Sequence, residues 1–384
     1  MNRFGRWLWQ RWLANYILGL SLASGLALMY VWRLSSIPAA LSSTEVAFID
    51  SASSWGQIAD NPLNAPLKLL QLAFESIGWQ SPGAWRLASV ILTVGLLMTF
   101  YAVAKHWFGK IAGALGTLVL AATPWLLVGG RSATAASLLL APALLTASGF
   151  WLLSKTSHRV LAWLAFCLSL ALALYIPGMI WLMIIGGWTL RRRLLNSLRE
   201  LSARWLGLGG LVIMSGLAGI IYQLTTDWTV GRQLLLLPAN WPDLVSGLRS
   251  AGDALSSIVW RAPTSVSLTV ADWPLLNLFQ SALCLFGVYI CWQRAKPVLF
   301  GSLAIILLAV LAAAINQDVS WLLLGLAGFG ALMAAGLRWL LLEWRLVFPR
   351  NPLAQFVSLT FIISLVAAQI YFAMVYGLSA WPNS

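Results

Sequence analysis

Apolar residues in this chain occur in long runs rather than in alternation. Stretches of about 20 mostly apolar residues, enough for a helix to cross a bilayer, recur from end to end. They cover 12–32, 84–104, 111–129, 133–153, 160–175, 177–190, 205–223, 273–292, 298–315, 320–342 and 354–378. The pattern predicts eleven helical spans. Residues 160–190 form one apolar run interrupted by Tyr175-Ile176-Pro177-Gly178. Pro and Gly break a helix, so this run reads as two short spans. The first run follows Arg3, Arg6 and Arg11 as a signal peptide would. It is longer than the apolar core of such a peptide, about 7–15 residues, and lacks a clear Ala-x-Ala site, so it reads as an anchor.

Polar residues separate the runs unevenly. Two segments, 34–83 and 225–272, are long enough to carry structure of their own, and most of the others are short turns. Within the first, Ser43 or Thr44 suits a helix cap with Glu45 in the first turn. Pro66 suits the start of an amphipathic helix over 66–77, with Leu67, Leu70 and Phe74 on its apolar face. Such helices lie well along a membrane surface, where Trp55 and Trp79 fit as anchors.

Composition turns this pattern into a class. Hydrophobic residues make up 60% of the 384 and charged residues 9%, against about 45–50% and about 25% in soluble proteins. A soluble enzyme and a disordered tail are both excluded. The expected fold is an all-α polytopic integral membrane protein, a single membrane domain over 1–384.

Charge orients it. The net charge of +13 would suggest nucleic acid in a soluble protein. Over eleven alternating spans, however, one side collects 17 basic residues and only Glu200 and Glu343, including Arg191-Arg192-Arg193. The other side holds seven basic residues and nine acids. By the positive-inside rule the N-terminus is cytoplasmic and the C-terminus extracytoplasmic, in a plasma or inner membrane. Membrane lipids are the implied surroundings and nucleic acid is not a partner. Fusing 160–190 into one span would put the arginine cluster on the wrong side.

Candidate chemistry then falls on the outer side. Glu45, Asp50 and Asp60 are the acids nearest the first span. One of them could serve as a general base or bind a divalent cation, and capping and solvation are the structural alternative. Arg131 in a short outer turn runs against the charge bias, and its planar fork suits phosphate. Lys68 and Arg86 are weaker candidates of the same kind. The second loop carries Asp227-Trp228, Asn240-Trp241-Pro242-Asp243 and Trp260-Arg261, suited to sugar recognition or, as for most of the 23 tryptophans, to interfacial anchoring. His106 and His158 read as solvated loop residues, and Cys167, Cys284 and Cys291 as core packing. No nucleotide-binding motif or zinc spacing is present. The cofactor stays open: the acids admit a divalent cation, and no nucleotide is indicated.

Residues 10–150 resemble the multispanning C-type (GT-C) glycosyltransferases, which include the protein O-mannosyltransferase and lipid A aminoarabinose transferase families. The shared features are a first span, a long outer loop opening with acids, and a Pro-containing lead into an amphipathic helix. Gly78-Trp79-Gln80-Ser81-Pro82-Gly83-Ala84-Trp85-Arg86-Leu87 then opens the second span. Phe108-Gly109-Lys110 joins two spans, and Pro124 precedes Gly130-Arg131-Ser132-Ala133-Thr134. Tyr175-Ile176-Pro177 is also similar. The resemblance implies transfer of a sugar from a polyprenyl-phosphate donor to a glycan, lipid or protein acceptor outside the membrane. It implies Glu45 or Asp50 as catalytic base, with Arg131, Lys68, Arg86 and Asp60 binding substrate. Two departures stand out. Thr44 occupies the position of the family's Asp in the opening acidic pair, and Arg131 is followed by Ser-Ala-Thr-Ala-Ala-Ser137 with no acid. The alternative is therefore a non-catalytic membrane subunit that keeps the scaffold and binds a lipid-linked glycan or a partner protein. A transporter fits less well, because few charged residues lie mid-span.

Overall fold

The computed structural model describes residues 3–36, 40–154, 158–260, 273–349 and 351–379; side chains at 3–15, 345, 352 and 376–379 are outside the description. Arg261 of the second loop therefore lies outside the described residues, as do Lys155, Asp272 and Arg350, which belong to the charges counted above. In chain order the helices are α1 (Arg3–Val31), α2 (Ser43–Asp50), α3 (Trp55–Asp60), α4 (Ala65–Ser76), α5 (Pro82–Phe108), α6 (Lys110–Ala121), α7 (Pro124–Arg131), α8 (Pro142–Leu153) and α9 (Arg159–Ala173). They continue as α10 (Met179–Leu198), α11 (Ala203–Thr226), α12 (Trp228–Leu234), α13 (Leu244–Val259), α14 (Leu278–Arg294), α15 (Lys296–Asn316), α16 (Leu326–Val347) and α17 (Pro352–Ser379). Tight 3₁₀ turns at Ala135–Leu140 and Val319–Gly325 lead into α8 and α16. No strand occurs among the described residues.

A helix stands at each predicted apolar run. Among the described residues six are long and apolar enough to cross a membrane, or seven if the bent pair α6–α7 counts as one, so the number eleven does not follow from length and composition alone. The 160–190 run is split as expected, α9 ending at Ala173 and α10 starting at Met179. Gly178 there takes a positive φ of 79°.

The run 111–129 departs from a straight span. It bends by 71° between α6 and α7. Pro124 lacks an N–H, and its ring pushes the preceding residue out of the helical region. Thr123 accordingly has φ −70° and ψ 124°.

The segments assigned to the outer side gather at one end. The Asn64 N–H donates to the Tyr175 carbonyl at 2.8 Å, and the Gly178 N–H to the Leu234 carbonyl at 3.0 Å. The Asn316 side chain donates to the Leu236 carbonyl at 3.1 Å, and the Gln223 side chain to the Ala59 carbonyl. Both long loops and the 175–178 turn thus share one face of the bundle, as alternating spans require. At the turns assigned to the other side, Arg159 pairs with Glu200 and the Trp163 indole donates to the Trp205 carbonyl at 2.9 Å.

The core runs along α16, which packs between α14 and α6, with α5 behind α6. From Leu326 to Leu337 every α16 residue is buried. A Cβ on Gly287 of α14 would overlap the Leu332 carbonyl of α16, so the two backbones touch. Small residues permit that approach between membrane helices, where van der Waals packing replaces hydrophobic drive. The three cysteines are free and buried. Outside this core, α10 buries only Met179, and its exposed Ile184, Ile185 and Trp188 suit a lipid-facing position.

Candidate functional site

The site begins with a helix cap. Ser42, rather than Ser43 or Thr44, caps α2: its hydroxyl accepts from the Glu45 N–H at 3.2 Å. The Glu45 carboxylate in turn accepts from the Ser42 N–H at 2.9 Å, completing a capping box. Starting the helix there sets its phase. Glu45, Ile49 and Ala52 turn inward and are buried, whereas Asp50 is exposed.

Inside, Glu45 meets Arg86 from the first turns of α5. Arg86 Nε and Nη2 donate to the two carboxylate oxygens at 2.9 and 3.0 Å, a bidentate pair that is almost wholly buried. Arg86 also donates to the Ala40 carbonyl at 2.8 Å. The Ala133 N–H, just past α7, adds a 2.9 Å bond to Glu45. Burial alone would raise the Glu45 pKa. The Arg86 bonds and the Ala133 and Ser42 amides outweigh it and hold the carboxyl below its ordinary value. Such a group keeps its charge and is a poor proton acceptor. Glu45, read from the sequence as the base, is thus a strut tying α2, α5 and the α7 turn together. Arg86, read as a substrate ligand, is its partner.

Arg131 is placed differently from expectation. The bend at Pro124 carries the end of α7 back into the protein, so Arg131 is 1% exposed rather than lying in a solvated turn. A Cβ on Gly130 would come within 2.7 Å of the Tyr30 ring and 2.9 Å of the Thr93 side chain. Only glycine allows α7 to run this close to α1 and α5. Arg131 Nη1 donates to the Tyr30 carbonyl at 3.1 Å, near the C-terminus of α1. Its Nε and Nη2 have no partner among the described residues. Nearby chain carries more unpaired buried atoms: Ser89 Oγ, one turn along α5 from Arg86, Ser137 Oγ and Gln71 Oε1. An unpaired buried donor costs about 1–3 kcal/mol, and more when charged.

Lys68 lies on the inward face of α4 with Leu67 and Gln71, all three buried. Pro66 opens that helix as expected. Lys68 Nζ donates to the Asn61 carbonyl at 2.7 Å and lies 5.8 Å from the Phe48 ring. Burial lowers its pKa to about 8. Gln71 Nε2 donates to the Ala133 carbonyl at 3.3 Å, linking α4 to the same turn that Glu45 holds. Asp60, at the end of α3 beside Asn61, is exposed. A cavity of about 400 Å³ opens at the α4–α5 turn, lined by Trp79, Gln80 and Ser81 among others.

The structure thus brings Glu45, Arg86, Arg131 and Lys68 around one end of α5 and leaves Asp50 and Asp60 at the surface. The buried charges among these four are three cations and one anion. Among the described residues no three His, Cys, Asp or Glu side chains lie together as a cation site. In the second loop Asp227 caps α12, its carboxyl held below the ordinary value by the Thr229 hydroxyl and amide. Sequence reasoning missed Ser42, Gln71 and the Ala133 amide. Ser42-x-x-Glu45 is a capping-box signature that could have revealed the first; a backbone amide has no such signal.

No family model matches the chain, and no curated protein matches it by sequence. Solved structures do match. The crystal structure of ArnT from Cupriavidus metallidurans in the apo state aligns with a TM-score of 0.57 at 14% identity, over 94% of this chain and 74% of that one. ArnT from the same organism bound to undecaprenyl phosphate aligns with a TM-score of 0.52 at 14% identity, over 96% and 75%. At that identity the likeness is one of fold. The chain is a polytopic membrane protein with an ArnT-like fold.

Proposed function

We propose that the protein binds a polyprenyl-phosphate-linked sugar at the outer-loop end of the bundle and transfers the sugar to an acceptor there. The observation that carries this reading is Arg131, a buried cation with two unpartnered donors. A guanidinium fork fits two phosphate oxygens, and Lys68 supplies a second cation from the adjoining loop. The neighbouring ArnT structure bound to undecaprenyl phosphate supports the same class of ligand. In the reaction, the bond from the anomeric carbon to the carrier's phosphate oxygen breaks and the phosphate keeps the electron pair. Arg131 and Lys68 stabilise that charge. A hydroxyl of a glycan, lipid or protein acceptor attacks the anomeric carbon and gives up its proton. Glu45 is too fully engaged to take it; the exposed carboxylates of Asp50 and Asp60 are the available acceptors.

A second reading is favoured by the same strut. With Glu45 committed to structure, and Thr44 and Ser137 where the resembled families carry acids, the chain reads equally as a carrier-binding subunit without transfer activity.

One preparation separates the two. Protein in lipid nanodiscs is titrated with undecaprenyl phosphate, and sugar transfer from a polyprenyl-phosphate sugar is followed in membranes. Arg131→Gln should weaken binding by about ten- to a hundredfold, and the double variant Asp50→Asn with Asp60→Asn should abolish transfer. Unchanged binding in Arg131→Gln removes the site. Binding by the unmodified protein with no transfer selects the subunit.

A further inference from the structure

The bend at Thr123 opens the backbone between α6 and α7 inside a bundle of apolar helices. Each carbonyl freed there needs a donor from the protein, because a bilayer core supplies none. The six carbonyls from Leu118 to Thr123 all have one. Three are taken along the chain: the Ala122 and Thr123 amides donate to the Leu118 and Leu120 carbonyls at 2.9 and 3.0 Å, and the Leu127 amide to the Thr123 carbonyl at 2.9 Å. The other three are taken by buried side chains from three separate helices. Gln280 Nε2 of α14 donates to the Val119 carbonyl at 2.9 Å and to the Thr123 hydroxyl at 3.1 Å. The Tyr30 hydroxyl of α1 donates to the Ala121 carbonyl at 3.0 Å, and Gln369 Nε2 of α17 to the Ala122 carbonyl at 3.1 Å.

We infer that Gln280, Gln369 and Tyr30 are positioning residues, which clamp the α6–α7 bend at its angle and so hold Arg131 at the site. Both glutamines are themselves aimed. Gln280 Oε1 accepts the Asn277 N–H at 3.1 Å in the capping box that opens α14, which leaves Nε2 for α6. The Asn277 side-chain amide donates to Gln369 Oε1, which leaves that Nε2 for Ala122. A polar amide in an apolar run is unfavourable unless it is bonded, and here both serve one short stretch of backbone. Proline breaks the helix at Pro124, but a break alone sets no angle. Tyr30 adds the link to the site: its hydroxyl holds Ala121 before α7, and its carbonyl accepts from Arg131 Nη1 at the end of α7. The three side chains thus act through Arg131. Their part in ligand binding rests on the proposed reading of Arg131 as the partner of a carrier phosphate.

Two measurements on the full chain in lipid nanodiscs test this. Gln369→Leu and Gln280→Leu keep much of the side-chain volume and remove the donor; Tyr30→Phe removes only a hydroxyl and serves if a leucine variant fails to fold. Amide hydrogen exchange should speed up in peptides covering 120–133 and stay level in α16. Undecaprenyl phosphate binding should weaken by about three- to twentyfold, the range of one interhelical hydrogen bond. In an Arg131→Gln background the same substitutions should cost no further affinity, because coupled residues are not additive. Unchanged exchange over 120–133 in all the variants overturns the inference and leaves the bend to Pro124 alone. Faster exchange with unchanged binding, or an equal loss of binding in the Arg131→Gln background, overturns the action through Arg131. If the unmodified protein binds no undecaprenyl phosphate, the functional reading fails by itself, and exchange still decides whether these side chains hold the bend.

Discussion

Arg86 and Arg131 are both buried cations at the same end of the bundle, and their surroundings differ. Arg86 meets a carboxylate through two nitrogens and a carbonyl through the second of them. Arg131 donates through Nη1 to the Tyr30 carbonyl and leaves Nε and Nη2 unpaired. A matched charge holds a fold together, because removing its partner leaves an uncompensated ion. An unmatched one costs the fold stability and is worth keeping only where something else completes it. On the proposed reading, the two arginines divide the site into a structural half and a binding half.

The largest effect should come from the matched half. Glu45→Gln leaves Arg86 buried without its counter-charge, a loss of about 3–5 kcal/mol. A large fall in the melting temperature in detergent is expected, with Arg86→Gln similar. A mild effect on melting would mean that the pair is solvated and that the contrast with Arg131 is false. The next effect is on binding. Arg131→Gln should weaken undecaprenyl phosphate binding by about ten- to a hundredfold, since charge-assisted bonds contribute about 1.5–3 kcal/mol, while melting stays level or rises. A parallel loss of stability and binding would make the two arginines alike.

Proton linkage sharpens the contrast further. Glu45 has a lowered pKa, so its contribution is full above the ordinary carboxylate value of 4.5 and is lost as pH falls below it. Acid unfolding in that range should vanish from the Glu45→Gln background. Lys68 behaves oppositely. Its lowered pKa, about 8, means that the cation is lost as pH rises through that value. Phosphate binding should weaken there, and Lys68→Arg should flatten the profile. The smallest effects are expected at the surface: Asp50→Asn and Asp60→Asn should change stability by no more than about 0.5 kcal/mol. A larger change would place them in the structural half.

The helices were legible because a run of apolar residues has few other uses, and the split at Tyr175–Gly178 was legible from Pro and Gly. The bend at Thr123–Pro124 was not. Proline marks a break but carries no direction, and it is direction that turns Arg131 inward. Glu45 was found, but its engagement by Arg86 was not. A carboxylate near a span is compatible with a base, a ligand or a strut, and the choice depends on Arg86 and an alanine amide brought from far along the chain. The exposed position of Asp50 was not legible either: a cap at Ser42 fixes the helix phase, and five residues past Glu45 points away from it.

The Glu45 carboxylate also closes the chain on itself. It joins partners 41 and 88 residues away, Arg86 and Ala133, as well as its own cap. Loop closure of this kind is an entropic debt that grows only slowly with length, and here one side chain closes both loops at once. Their opening should therefore be a single event. The amides of Ser42 and Ala133, distant in sequence and in different elements, should exchange their hydrogens together, as one cooperative unit at the mouth of the site.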